Sequence, residues 1–121
     1  RGGGFKATAQ PMTEARLRTQ ILVGAAVRQG ATLGVVVTVA KRGEDDRGAV
    51  LIKLNQHPGG CTVLVQERDL EGELLWRRAV TQQPESDADA YIAKALKRDP
   101  DLWVVEIEDR AGRHLFQGRV E

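Results

Sequence analysis

Apolar residues recur along this chain in two rhythms. After Ser86, residues Ala88, Tyr91, Ile92, Ala95 and Leu96 fall three or four apart, the spacing of one helical face. Ser86 stands where a cap is expected, with Asp87 and Asp89 in the first turn. Lys94, Lys97 and Arg98 gather at the far end, where cations suit the helix dipole, and Pro100 enforces the stop. A second helical pattern starts from a Thr13 cap and runs to about Gln29. Leu17, Ile21, Leu22, Ala25 and Ala26 lie near one stripe, and Gly30 is the expected stop. Gly24 and the dense apolar run 21–27 leave a strand open as the alternative there.

The other rhythm is that of strands. Residues 33–40 are apolar on both alternating faces, which predicts an interior strand covered on two sides. A polar loop, 41–48, follows. In 49–55, Val50, Ile52 and Leu54 share one face and Lys53 takes the other. Strands are also predicted at 61–67 and 73–80, with turns by composition at 56–60 and 69–72. Their regular spacing predicts an antiparallel meander. The last pair, 102–108 and 114–119, flanks Asp109-Arg110-Ala111-Gly112, a hairpin turn in which Gly112 takes the left-handed conformation. The expectation is an α+β fold: a mostly antiparallel sheet of about six strands with two helices, in the order α-β-β-β-β-α-β-β.

Length and composition narrow this further. A chain of 121 residues fits one domain. Residues 1–11 are Gly-rich and precede the only methionine, Met12. They are read as a disordered expression remnant, with the domain at 12–121. Removing Arg1 and Lys6 takes 18 basic residues to 16 against 17 acidic ones, so the net charge moves from +1 to −1. That balance leaves no electrostatic footprint for nucleic acid. No apolar run approaches the roughly 20 residues of a membrane helix. The lone cysteine, Cys61, fits a reducing compartment, and no charged-then-apolar leader opens the chain, so the cytoplasm is the expected location.

From Met12 onward the chain resembles a family of small bacterial proteins described only as a domain of unknown function. The resemblance is carried by 16–19, 35–37, 48–55, 89–92 and, above all, by the run Asp99-Pro100-Asp101-Leu102-Trp103-Val104-Val105-Glu106-Ile107-Glu108-Asp109-Arg110 followed by Gly112-Arg113-His114. It implies a single bacterial cytoplasmic domain and carries over no activity, cofactor, partner or site residue. The tail 117–121 is longer than the family's pattern suggests.

Motifs for chemistry are sparse. Two histidines and one cysteine are too few for a structural zinc site, and no cofactor is expected. Asp99, Asp101, Glu106, Glu108 and Asp109 offer oxygens for a hard cation, but they read better as turn residues and a solvated face. Ser86 has a cap to make, and Cys61 lacks an oriented base. No phosphate loop follows Met12. Trp76-Arg77-Arg78 could serve a nucleic acid, yet the aromatics are not interleaved with basic residues on one strand.

The leading expectation is a non-enzymatic binding or protein-interaction module, docking a protein partner or itself, with no membrane partner. Its surface is expected on the last hairpin, at Asp99, Asp101, Trp103, Asp109, Arg110, Arg113 and His114, with no catalytic and no metal residue. Trp103, Val105 and Ile107 share one face there, while Leu102, Val104, Glu106 and Glu108 share the other. One alternative is a small acid–base or metal-assisted enzyme using Asp99, Asp101, Glu106 and His114. The other is an RNA- or DNA-binding module working through arginines; nucleic acid is the less favoured partner.

Overall fold

A computed structural model describes residues 19–121. The segment 1–11 expected to be a remnant, the expected Thr13 cap and Leu17 fall outside the described residues. Along the chain run α1 (Thr19–Leu33), β1 (Val36–Lys41), β2 (Val50–Asn55), β3 (Cys61–Arg68), β4 (Leu74–Gln83), α2 (Glu85–Arg98), β5 (Trp103–Glu108) and β6 (Arg119–Val120). Among the described residues the fold is α+β, with two helices and one six-stranded sheet in the order β1-β5-β2-β3-β4-β6. Most pairings are antiparallel; β2 with β5 and β4 with β6 are parallel.

The meander expected of the first four strands holds only for β2, β3 and β4. β5 inserts between β1 and β2. Its side chains explain the preference: Trp103, Val105 and Ile107 are buried on one face and Val104 on the other, so it needs neighbours and cover all round. β1, expected in the interior, is instead the edge strand, with Val36 56% and Val39 39% exposed. Apolarity on both faces does not distinguish a covered strand from an exposed one.

Each sheet face carries a core. On one face α1 packs through Val23 near Val35, Ile52, Trp103 and Ile107. On the other α2 packs through Ala88, Ile92 and Ala95 against Leu51, Cys61, Val63 and Val104.

The helices depart from expectation at their ends. α1 buries Thr19, Val23, Ala26 and Gly30, while Ile21 is 52% exposed. Small residues on that stripe let the helix sit close to the sheet. A Cβ on Gly30 would come 2.5 Å from Val37 Cγ2 and 2.8 Å from the Val35 carbonyl oxygen. Gly30 is thus a contact residue, and the stop is Gly34 at φ +72°. There the Val35 N–H donates to the Gly30 carbonyl at 2.8 Å and the Gly34 N–H to that of Ala31 at 3.4 Å, the two bonds of a Schellman cap. α2 keeps its expected buried stripe but starts at Glu85; Pro84 occupies the cap position with no side-chain bond, and Ser86 lies inside the first turn.

The final hairpin does not form. The turn itself does, with the Gly112 N–H donating to the Asp109 carbonyl at 2.9 Å and Gly112 at φ +75°. Both sides of β5 are already taken by β1 and β2, however, so the chain cannot return beside it. It crosses the α1 face instead, where Leu115 and Phe116 pack on the core, and β6 pairs with β4 at Leu75 and Trp76.

Candidate functional site

Lys53 is the one charged residue among the described ones that is buried. Strand alternation turns it from the α1 core toward α2, where the first two turns of that helix place Glu85 and Asp89 above it. Its Nζ donates to Glu85 Oε2 and Asp89 Oδ1, both at 2.7 Å, and lies 4.0 Å from Glu106 Oε2 on β5. Burial alone pushes a lysine pKa down. Here the hydrogen bonds to Asp89 and Glu85 and the charge of Glu106 outweigh it and raise the pKa above the usual lysine value. The ammonium is thereby favoured over the neutral amine and sits among three carboxylates. Nearby, burial raises the pKa of the Cys61 thiol, which suits an inert packing group.

A cleft of about 200 Å³ opens beside this cluster, lined by Ala40, Lys41, Lys53, Asp89, Ile92, Leu96, Val104 and Glu106. Four elements meet there: β1, β2, β5 and α2. Lys41 closes one end, its Nζ donating to the Pro100 carbonyl at 2.8 Å and the Leu102 carbonyl at 3.2 Å. The C-terminal end of β1, Ala40 and Lys41, borders the cleft, and no described strand pairs with the outer edge of β1.

The residues singled out from sequence occupy both ends of β5. At one end, Asp99 accepts from the Asp101 N–H, and Trp103 is buried with its Nε1 donating to the Glu44 carbonyl at 2.7 Å. The Arg42 guanidinium lies 5.0 Å from the Trp103 ring centroid. At the other end, Asp109 accepts from Ala111 N–H, Arg113 N–H and Arg113 Nε, the last at 2.7 Å. The Arg113 guanidinium holds the Asp109 pKa down to about 2. Arg110 is exposed. His114 is half-buried, its ring centroid 5.9 Å from that of Trp76, and burial lowers its pKa. From Asp101 to Asp109 an extended chain spans roughly 25 Å. The structure therefore gathers Asp109 with Arg113, and Asp99 with Asp101, but brings neither pair to the other. Glu106 belongs to the Lys53 cluster instead. Trp76 is wholly buried and offers no face for base stacking, and Arg77 pairs with Glu67 at 2.6 Å.

Comparison with known proteins identifies the relatives. A family model described as "Protein of unknown function (DUF1491)" matches residues 17–117. The chain belongs to the DUF1491 family. It is 40% identical to a DUF1491 family protein from Caulobacter crescentus CB15 whose crystal structure superposes with a TM-score of 0.79, covering 87% of this chain and 99% of that one. An NMR structure of a DUF1491 family protein from the same organism gives 0.77 at 40% identity, covering 88% and 97%. A solution structure of a protein from A. tumefaciens shares the fold at 22% identity, with a TM-score of 0.74 and coverage of 85% and 94%. No curated protein matches the chain in sequence. The family's function is unknown, and these relatives assign none to this member.

Sequence reasoning about this family member missed Lys53, Glu85 and Asp89. The available signal was a lysine inside an otherwise apolar strand, together with two acidic residues four apart on a helix. What could not be read was that α2 crosses β2 at that height.

Proposed function

We propose that residues 12–121 form a single cytoplasmic domain that works as a non-enzymatic protein-interaction module, docking its partner on the edge of β1 and the adjoining cleft. The observation that carries this is the character of β1. Its six residues, Val-Val-Thr-Val-Ala-Lys, contain no proline and no charge before Lys41, and both Val36 and Val39 are exposed. Proteins ordinarily blunt such an edge with lysines, prolines or a covering segment, because its unpaired N–H and C=O groups invite another strand. The groups that would have to act in an enzyme support the same reading. Lys53 is too firmly protonated to be a nucleophile, Cys61 is buried, and His114 lies at the opposite end of β5 from Asp101.

Interaction can be tested with three tagged baits: the wild-type chain, Val36→Lys/Val39→Lys, and Thr81→Lys on β4 as a control. Proteins retained from a bacterial lysate by the wild type and Thr81→Lys are expected to be lost with the double variant. Retention of the same proteins by all three baits would overturn the assignment of the surface.

A further inference from the structure

We infer that the segment docking on β1 is extended and basic, and that one of its lysine or arginine side chains enters the cleft between β1, β2, β5 and α2. This rests on β1 being a docking edge and adds the chemistry of what docks there.

Three observations meet at this point. The first is register. Antiparallel pairing sets Thr38 across from Glu106 and Val36 across from Glu108, so these four side chains share the α2 face of the sheet. The β1 residues on that face ahead of Lys41 are small. A strand added outside β1 would therefore lie about two strand spacings, roughly 10 Å, from the glutamates, with only short side chains between. A long basic side chain and a carboxylate reaching toward each other bridge that gap.

The second is charge. One ammonium, Lys53, answers three carboxylates, and Glu108 adds another on the same face. Asp89 bonds Lys53 through Oδ1 and Glu106 approaches it through Oε2 alone, so each has a second oxygen for another donor. Lys41 does not neutralise the excess, because its ammonium is committed to the Pro100 and Leu102 carbonyls.

The third is the wall. Ile92, Leu96 and Val104 line the cleft between its charged ends. Apolar walls leading to a carboxylate suit a methylene stem that ends in a cation. A second copy of this chain fits less well. Its β1 would present Val36, Thr38 and Ala40 to this face, supply no free cation, and bring its own glutamates to the same side of the joined sheet.

Three eight-residue peptides test the inference against the full chain: one alternating Val and Lys, one Val and Thr, one Val and Glu. Affinity is read by fluorescence anisotropy and location by amide hydrogen exchange. The Val/Lys peptide is expected to bind about ten-fold tighter than Val/Thr, to weaken as salt rises, and to slow exchange in β1. Glu106→Gln is expected to remove most of that preference and leave Val/Thr affinity unchanged, which a general loss of structure would not do. Asp89→Asn serves as a second variant, and changing lysine to norleucine in the peptide repeats the test with the protein untouched. If Val/Thr and Val/Glu bind as tightly as Val/Lys while protecting β1, the docking edge stands and the basic partner is overturned. If no peptide protects β1, the edge and its occupant both fall. A free chain that sediments as a dimer with β1 amides already protected would make the occupant a second copy and overturn the inference.

Discussion

Two charged side chains show how burial and hydrogen bonding decide what an ionisable residue does here. Lys53 is held by Glu85 and Asp89 while its own side chain is only 8% exposed. Its pKa is raised in the folded state, so its stabilising effect is complete below the ordinary lysine value of 10.5 and is lost as pH climbs through the higher folded value. Lys53→Met should cost about 1–2 kcal/mol at neutral pH, since Glu85 and Asp89 are more than half exposed and stay hydrated when unpaired. Denaturant midpoints of wild type and variant should then converge on the alkaline side, and a constant difference there would contradict the ion-pair account. Asp109 behaves oppositely. Its pKa is depressed to about 2, so its contribution is present above the usual carboxylate range and disappears as pH falls through about 2. It ties down the chain after β5 through two backbone N–H groups and Arg113. With solvent screening at this surface, Asp109→Ala should cost about 1–2 kcal/mol at pH 7 and progressively less toward pH 2, as urea titrations across that range would show. The turn formed by Asp109 was legible, because an Asx side chain and a downstream glycine are local signals. The cluster around Lys53 was not, since its members come from three elements distant in sequence.

The elements divide the same way. α2 was legible in its stripe, its acidic start and its proline stop, because all of these follow from neighbours three or four residues apart. Its cap was misplaced: Ser86 is chemically fit to cap, but the helix begins at Glu85 after Pro84. In α1 the largest apolar residues misled. Ile21 faces outward, and the stripe that packs is built from Thr19, Val23, Ala26 and Gly30. Helix–sheet proximity rather than hydrophobicity selects that stripe, and at Gly30 the approach leaves no room for a Cβ. Gly30→Ala is a sharp check. On an isolated helix the change is favourable by up to about 1 kcal/mol. Here the methyl group would press on Val37 and the Val35 carbonyl, so a net loss of about 1–3 kcal/mol is expected. A raised thermal midpoint for this variant would show that the contact yields easily. The strand pairing was the least legible part. Hairpins β2–β3 and β3–β4 follow from local turns, whereas β5 reaches its place between β1 and β2 only by crossing the sheet with α2. No local pattern records that crossing.

Across the whole molecule, the sheet treats its two edges differently. On the β4 side, the C-terminal segment returns as β6: the Glu121 N–H donates to the Trp76 carbonyl at 2.8 Å, and the Arg78 N–H donates to the Glu121 carbonyl at 2.9 Å. Trp76 Nε1 donates to the Gln117 carbonyl at 2.8 Å and fastens the same segment. That edge is covered at its buried end. On the β1 side no described element plays this part, and Val36 and Val39 stand exposed along the strand. An edge that must receive a partner has to stay unblocked, at the cost of a tendency to pair with whatever is concentrated nearby. This sets an expectation that needs no knowledge of the partner. Val36→Lys combined with Val39→Lys should leave the unfolding midpoint within a few degrees, because both positions are exposed and the first change sets an ammonium across from Glu108 on the neighbouring strand. The same pair of changes should delay aggregation on heating or concentrating the protein, since two like charges on each copy oppose strand-to-strand contact. Circular dichroism and light scattering recorded through one thermal ramp separate the two effects. Delayed scattering at an unchanged midpoint would identify β1 as the adhesive edge, whereas unchanged scattering would mean that association begins elsewhere on the molecule.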